Sequence, residues 1–308
     1  MTTAGQEDPG QRASAMGRAL LALGDRWTLL ILQRASLGTR KFSQWQEALG
    51  VSNSVLTSRL RELEQHQILA RVPDPQYAGR FEYRLTERGL DLWSVLVAIW
   101  AWERRWVLGR QSTLPDLRHD RCGYACTPRL TCTCAPQPIT PRDTTAVRRS
   151  SLTVADVSTP RLHRRTSAPA PSDPMAYLPN TMELLGNRWS IAVLAAAFIG
   201  IRRFGDFERD LGIPPVILTD RLRRFVDLGV FRRGVYDQRY GREEYRLTQK
   251  GLAFFDVIAL AFRWGERWFP GSPVVTIRHR RCGRILEPVL RCDRCQATLT
   301  RREVRFVH

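Results

Sequence analysis

The spacing of apolar residues predicts a succession of short helices near the start of the chain. The amphipathic segments that could form them cover residues 26–36, 41–49 and 54–65. In the first segment, Trp27, Leu30 and Ile31 recur at the interval of one helical face, and Asp25 stands where an N-cap is needed. Gly50 ends the second segment. The first part of the chain is therefore predicted to be mainly α-helical.

Alternating apolar and polar residues then predict a β-hairpin, with strands over residues 69–72 and 81–85 and a tip over 74–80. A longer helix is predicted from Thr86 to about Val107. Helix, helix, turn, helix and hairpin follow one another in the order of a winged helix-turn-helix domain. Agreement between helix spacing, hairpin and turn residues is stronger evidence than any one of them alone.

The whole pattern occurs twice, at an offset of 162 residues. LGDRW at 23–27 returns as LGNRW at 185–189, LTSRLR at 56–61 as LTDRLR at 218–223, and EYRLT at 82–86 as EYRLT at 244–248. A repeat of this length indicates a duplicated structural unit. The predicted long helix and its second copy, 248–269, are too apolar for the surface of a small domain. We expect them to pack on each other as a pseudo-dimer; alternatively, each closes its own core.

The repeat predicts a mainly α fold with small β-hairpin wings. It contains two tandem winged helix-turn-helix domains, each followed by a long helix and a small Cys-containing, ribbon-like tail. The predicted boundaries are 14–108 for domain 1, 109–134 for tail 1, 135–174 for a flexible linker, 175–270 for domain 2 and 271–308 for tail 2. The linker is assigned because this stretch is rich in Pro, Ser, Thr and Arg and poor in large apolar residues.

The chain carries a formal net charge of +18. Such an excess favours a polyanionic partner, because each Lys or Arg near a phosphate releases condensed counterions; a solvated basic surface is the alternative. Seven cysteines in two clusters favour a reducing, cytoplasmic setting over a disulfide framework. Apolar stretches are too short to span a bilayer. Without a phosphate loop or a recognisable catalytic constellation, the chain is not expected to be an enzyme.

The predicted recognition helices, 54–65 and 215–228, present small polar and basic side chains opposite their apolar faces, which suits a major groove. Arginines and a lysine before these helices and on the wings would contact phosphates. The residues predicted to contact DNA are Arg40, Lys41, Asn53, Ser54, Thr57, Ser58, Arg59, Arg61, Arg80, Arg202, Arg203, Thr219, Arg221, Arg223, Arg224, Arg239 and Arg242. Pro214 and Pro215 leave the second helix fewer polar side chains, which predicts unequal half-sites.

Each tail contains ligands suited to zinc. Tail 2 offers His279, Cys282, Cys292 and Cys295, and tail 1 offers His119, Cys122, Cys132 and Cys134 as a weaker set. Two short-spaced pairs can surround one tetrahedral ion. The single residue between Cys132 and Cys134 makes a poorer chelating turn, so tail 1 is either degenerate or recruits Cys126. Ordinary reduced thiols are the alternative, and a redox role is a lesser one.

The repeated motifs, together with Arg40-Lys41-Phe42, resemble those of HxlR-type winged-helix regulators over about 90 residues of each half. The resemblance implies a sequence-specific regulator of double-stranded DNA, acting as a repressor through paired recognition helices and wings. The alternative is a non-sequence-specific architectural or protein-interaction module. Family members are usually homodimers of single units, so a homodimer of the tandem chain is also open. Redox-sensing members carry a Cys before the first helix, where this chain has Ser14-Ala15-Met16. The effector is unknown, although Trp93, Trp100 and Trp102 could line a ligand pocket.

Overall fold

The computed structural model describes residues 23–108, 114–148, 178–237, 239, 242–269 and 275–307. Predictions that fall elsewhere, such as those for 14–22 and 149–177, lie outside the described residues.

The first unit folds as the sequence predicts up to the end of its hairpin. Its elements are α1 (Arg26–Ser36), α2 (Phe42–Leu49), α3 (Asn53–Gln65), β1 (Leu69–Pro73) and β2 (Phe81–Leu85). Asp25 caps α1, because its Oδ1 accepts hydrogen bonds from the backbone N–H groups of Trp27 at 3.0 Å and Thr28 at 3.1 Å. β1 and β2 pair antiparallel as the wing. The predicted winged helix-turn-helix domain is thereby confirmed.

The prediction of one long helix after the hairpin is wrong in one respect, because the structure has two helices there. They are α4 (Glu87–Leu90) and α5 (Trp93–Glu103), followed by a π-helical turn over Arg104–Leu108. Thr86 caps α4, and Gly89 lies so close to the hairpin base that a Cβ there would be 2.2 Å from the carbonyl oxygen of Ile68. α4 is therefore anchored to the hairpin, while α5 takes a direction set by its own packing.

The second unit repeats this order. Its elements are α6 (Pro179–Leu185), α7 (Arg188–Phe198), α8 (Phe204–Leu211), α9 (Pro215–Asp227), β7 (Phe231–Asp237), β8 (Arg242–Leu247), α10 (Gln249–Leu252) and α11 (Phe255–Trp268). Asn187 caps α7 as Asp25 caps α1. Gly251 repeats the close approach of Gly89, with a Cβ position 2.3 Å from the carbonyl oxygen of Val230. The predicted helix 248–269 is therefore interrupted at the equivalent place.

The halves meet through α5 and α11, which pack against each other. The indole Nε1 of Trp102 donates to the carbonyl of Lys250 at 3.0 Å, and that of Trp264 donates to the carbonyl of Arg88 at 2.9 Å. Trp102 and Trp264 are equivalent positions of the repeat, as are Arg88 and Lys250. The same contact is therefore made in both directions, as in the interface of a twofold dimer.

The tails join the halves a second time, through strands. Tail 1, which the structure extends to Arg148, contains β3 (Asp116–His119), β4 (Pro128–Cys132), β5 (Ala135–Pro138) and β6 (Thr144–Arg148). Tail 2 contains β9 (Val275–His279), β10 (Pro288–Cys292) and β11 (Val304–Val307). β4 pairs antiparallel with β10, with Leu130 opposite Leu290. β3 pairs with β11 and β6 with β9, so the last strand of each tail completes the other tail.

This pairing corrects the predicted linker at its start. Residues 135–148 carry β5 and β6 and are not a flexible connection. β6 lies along β9 with Thr144 opposite His279, and Ile139 is buried. Composition concealed these strands because β6 depends on a partner in the other half of the chain, β9, and β5 on an irregular pairing with β4.

Candidate nucleic-acid interface

The first recognition helix, α3, has one buried face and one exposed face. Leu56, Leu60 and Leu63 are fully buried in the domain core. Among the side chains predicted to contact DNA, Asn53, Ser54, Ser58 and Arg61 are exposed and Thr57 is half-buried. Apolar anchoring on one side holds the polar side rigidly outward, which is the arrangement that reading base edges requires.

The second recognition helix, α9, is anchored in the same way but presents a different surface. Leu218, Leu222 and Phe225 are buried. Pro215 stands at the first helical position, and Val216 is 82% exposed beside it. Of the predicted DNA contacts on α9, Thr219 and Arg223 are exposed. The start of this helix therefore offers an apolar contact where α3 offers Asn53 and Ser54.

Arg59 has an internal role that the sequence did not reveal. Its Nε lies 3.0 Å from Oδ1 of Asp25, and its Nη1 lies 2.6 Å from Oε2 of Glu62. Only 18% of its side chain is exposed. The pair with Asp25 ties α3 to the N-cap of α1, whereas Glu62 lies on α3 itself, so Arg59 positions the recognition helix. A phosphate contact, as predicted for Arg59, would have to displace these ion pairs.

Two arginines of the second half are held in a similar way. Arg221 pairs with Asp220 at 2.8 Å, and Arg224 reaches both Asp220 at 2.9 Å and Glu183 at 3.2 Å. Arg223 also lies 3.2 Å from Asp220, but 64% of its side chain is exposed. Of these three predicted contacts, Arg223 is the best placed to reach DNA.

The start of α2 and the tip of the first wing form one basic surface. Lys41 binds Asp74 at 3.0 Å and lies 5.2 Å from the ring centre of Tyr77. The guanidinium carbon of Arg80 lies 5.0 Å from the centre of the same ring. A hydrogen bond from the backbone N–H of Gln76, together with Lys41, lowers the pKa of the Asp74 carboxyl. The wing tip is thus held to the helix whose N-terminus carries the exposed Arg40.

The second wing carries the remaining predicted contacts. Arg202 is exposed before α8, and its carbonyl accepts a hydrogen bond from the backbone N–H of Tyr245 at 2.8 Å. Arg203 lies over the ring of Tyr236 at 4.2 Å. Arg239 and Arg242 are exposed at the hairpin tip. Each wing is therefore flanked by cations next to the helix that precedes the recognition helix.

Comparison with known proteins agrees with this architecture. The model of the HxlR-like helix-turn-helix family matches residues 22–111 and 184–273, which together exceed half of the chain. The chain belongs to the HxlR-like helix-turn-helix family. Each match covers one of the two units, so the resemblance read from the repeated motifs is confirmed in both copies. Membership places the chain among DNA-binding transcriptional regulators, a family of regulators and not of enzymes.

Single-unit relatives match parts of this HxlR-like chain. An uncharacterized HTH-type transcriptional regulator of Mycobacterium tuberculosis is 42% identical over 125 residues, covering 40% of this chain and 79% of that protein. YvaP, an uncharacterized HTH-type transcriptional regulator of Bacillus subtilis, is 35% identical over 91 residues, covering 29% of this chain and 84% of YvaP. YodB, an HTH-type transcriptional regulator of the same organism, is 35% identical over 88 residues, covering 28% of this chain and 79% of YodB. Among the described residues, no helix is both long and apolar enough to cross a lipid bilayer.

The cysteine tails of this HxlR-like chain are arranged differently from the prediction. The structure does not bring the ligands of one tail together; it exchanges them between tails. Cluster A contains His119 and Cys122 of tail 1 with Cys292 and Cys295 of tail 2, and cluster B contains His279 and Cys282 of tail 2 with Cys132 and Cys134 of tail 1. Both predicted ligand sets are therefore wrong in their grouping, although every predicted ligand belongs to one of the two clusters. Pairing of β4 with β10 causes this, because it places their terminal cysteines at opposite ends of the ladder.

Cys126, considered as a substitute ligand for tail 1, lies outside both clusters. It is buried, and burial raises the pKa of its thiol to about 12. Its neighbours are Cys292 and Asp293. Each cluster has four candidate ligands without Cys126, so Cys126 is better described as a small core residue.

A cavity of about 620 Å³ lies beside α5 in the first half. Trp93 and Trp100 line it, as do Arg301, Arg305 and Phe306 of tail 2. Trp102, which was grouped with these tryptophans, instead points to the interface between the halves. The equivalent space in the second half is lined by Phe255 and Phe262 and measures about 60 Å³. The two halves therefore differ in cavity volume at the place where a ligand pocket was predicted.

Proposed function

We propose that this chain is a sequence-specific regulator of double-stranded DNA that acts as a built-in pseudo-dimer and represses transcription. The observation that carries the proposal is the reciprocal packing of two HxlR-like units, in which Trp102 and Trp264 make the same contact from opposite sides. Twofold packing of helix-turn-helix units is how such proteins present paired recognition helices to two half-sites. A single chain can then present two recognition helices to one operator.

The half-sites are expected to differ. α3 exposes Asn53, Ser54 and Ser58, whose side chains can donate and accept hydrogen bonds at base edges. α9 begins with Pro215 and the exposed Val216, which can only make an apolar contact such as one with a thymine methyl group. We therefore propose that the first unit reads its half-site with more hydrogen bonds and the second with fewer.

Selection of bound sequences from random double-stranded DNA, using the full chain, tests this reading. We expect an imperfect inverted repeat with one sharply defined half and one weakly defined half. A perfectly symmetric operator would contradict the proposed difference between α3 and α9. Equal binding to all sequences would instead favour the architectural alternative and overturn sequence-specific regulation.

Two substitutions separate base reading from phosphate binding. Thr57→Ala removes a hydroxyl from the face of α3 and should reduce the ratio of specific to random DNA affinity. Arg80→Ala removes a cation from the wing and should weaken both affinities by a similar factor, with a shallower dependence on salt. Titrations of each variant with the selected site and a random duplex give both ratios. Identical behaviour of the two variants would refute this division of roles.

Repression follows if the bound chain competes with RNA polymerase for promoter DNA. Transcription in vitro from a promoter that contains the selected site should fall as the chain is added, and Arg80→Ala should shift this effect to higher protein concentration. Increased transcription would contradict repression while leaving sequence-specific binding intact.

A further inference from the structure

We propose that clusters A and B are two structural zinc sites, each shared between the two tails, so that metal ties one half of the chain to the other. The proposal concerns the tails alone and does not depend on DNA binding.

Distances within cluster A are those of a tetrahedral site. Nδ1 of His119 lies 3.3 Å from Sγ of Cys295 and 3.5 Å from Sγ of Cys122, and Sγ of Cys122 lies 3.9 Å from Sγ of Cys292. With Zn–S bonds of about 2.3 Å and Zn–N bonds of about 2.0 Å, a tetrahedral ion separates nitrogen from sulfur by about 3.5 Å and two sulfurs by about 3.8 Å. The four ligands thus lie at the corners that zinc would require.

Cluster B repeats these distances with the other half of each tail. Nδ1 of His279 lies 3.3 Å from Sγ of Cys134 and 3.5 Å from Sγ of Cys282. All four ligand atoms lie within 4.8 Å of one another, as they do in cluster A. Two clusters with different loop lengths share one geometry, which a chance collection of reduced thiols would not reproduce.

Backbone geometry around the cysteines also suits bound thiolates. The N–H of Arg294 donates to Sγ of Cys292 at 3.4 Å. Gly123 and Gly283 follow the His-x2-Cys pairs with φ of +74° and +67°, and each donates its N–H to the carbonyl of the preceding His at 2.8 Å. These tight turns bring both ligands of each pair to one side of the loop.

The clusters stand apart as separate sites. Cys132 lies opposite Pro288 and Cys292 opposite Pro128, at the two ends of the β4–β10 ladder. Four residues of a strand separate these ends by roughly 13 Å. One ion cannot bridge that distance, so the four predicted ligands of a single tail cannot all bind the same zinc. Each site holds four protein ligands, which leaves no open position for water and makes the sites structural.

Metal content of the purified full chain provides the first test. We expect two zinc ions per chain, measured by elemental analysis and by native mass spectrometry. Near-zero zinc after purification in zinc-containing medium would overturn the proposal. Loss of about two mass units per cysteine pair in place of zinc would also overturn it, since the clusters would then hold disulfides.

Paired substitutions distinguish shared sites from sites within one tail. Cys122→Ser with Cys295→Ser removes two ligands of cluster A and should leave one zinc per chain. Cys122→Ser with Cys134→Ser removes one ligand from each cluster and should leave none. Sites formed within single tails would give the opposite result, and that outcome would refute the exchange. Cys126→Ala is the matched control and should retain both ions.

A measurement on the unsubstituted chain covers the case in which a variant fails to fold. A chelator is added at less than two equivalents, exposed thiols are alkylated, and the modified cysteines of each intact chain are located by fragmentation in the mass spectrometer. Molecules modified at Cys122 should also be modified at Cys292 and Cys295. Joint modification of Cys122 with Cys132 and Cys134 instead would contradict the shared sites.

Discussion

Replacement of Trp102 by Phe measures one of the two reciprocal hydrogen bonds between the halves. Nε1 of Trp102 donates to the carbonyl of Lys250 at 3.0 Å, and the side chain is almost fully buried. Trp102→Phe removes the donor and leaves that carbonyl without its partner. Loss of a buried hydrogen bond with an unsatisfied acceptor costs about 1–3 kcal/mol. The smaller ring adds a separate cost from lost packing.

Trp100 provides a matched control on the same helix. It is buried to the same extent, 3% exposed, but among the described residues its Nε1 has no hydrogen-bond partner. Both indoles also face a cation at similar distance, Arg104 at 5.4 Å from Trp100 and Lys250 at 5.5 Å from Trp102. Trp100→Phe therefore reproduces the loss of ring area without the loss of a hydrogen bond.

Urea unfolding of both variants, followed by circular dichroism, gives the difference between them. We expect the free energy of unfolding to fall by about 1–3 kcal/mol more for Trp102→Phe than for Trp100→Phe. Trp264→Phe should behave like Trp102→Phe, because it removes the reciprocal bond to the carbonyl of Arg88. Equal destabilisation by Trp100→Phe and Trp102→Phe would show that this hydrogen bond does not hold the halves together.

Arg59→Ala should lower the free energy of unfolding by about 1 kcal/mol, because it breaks the partly buried pair with Asp25, whereas Arg61→Ala should leave stability unchanged and weaken DNA binding. Denaturation and DNA titration of both variants check this, and the reverse pattern would restore Arg59 as a phosphate contact. Glu103 is buried and accepts a hydrogen bond from the backbone N–H of Thr181 at 2.6 Å, and its burial raises the pKa of the carboxyl. The folded state then binds the proton more tightly, so stability falls as pH rises from the ordinary value of 4.5 through the raised one. Glu103→Gln, which keeps the acceptor, should flatten this fall in urea titrations at several pH values; an unchanged slope would contradict it.

Local patterns predicted the units of the fold well because each unit carries its own signals. Asp25 before an amphipathic segment and Gly50 after one mark helix ends that depend on neighbouring residues alone. The break at Asp91 and Leu92 was missed, since no Pro interrupts the segment; just before it, Gly89 packs closely against the backbone of Ile68. Backbone contacts of this kind leave little trace in apolar spacing.

Contacts between the halves were harder to predict. The sequence pointed to all eight residues of clusters A and B as candidate ligands but grouped them by tail, because residues close in sequence are the first choice for a chelating set. The exchange arises from strand pairing over more than a hundred residues, as between β6 and β9. The internal partner of Arg59 was missed for a related reason: Asp25 caps another helix, and charge alone does not show whether an arginine is already paired.

Fusion of the two units explains why their symmetry is kept in some places and lost in others. In a homodimer every substitution appears twice, so a change that suits one half must also suit the other. In a single chain each half can change alone, although contacts inside each unit, such as those of Gly89 and Gly251, can be kept as well as contacts across the interface. Trp102 and Trp264 retain reciprocal hydrogen bonds across the interface. By contrast, Asn187 stands in the second half at the position equivalent to Asp25. The second half therefore lacks the carboxylate that pairs with Arg59 in the first half.

The cavities beside α5 and α11 also differ between the halves. The first half has a space of about 620 Å³ next to Trp93 and Trp100, and the second half has about 60 Å³ at the equivalent place. Among the described residues, the larger space is lined both by the first unit, through Trp93 and Trp100, and by tail 2, through Arg301, Arg305 and Phe306. A ligand in it would therefore contact both halves of the chain. The two halves thus differ both in this space and at the start of the recognition helix, where α3 exposes Asn53 and Ser54 and α9 exposes Pro215 and Val216.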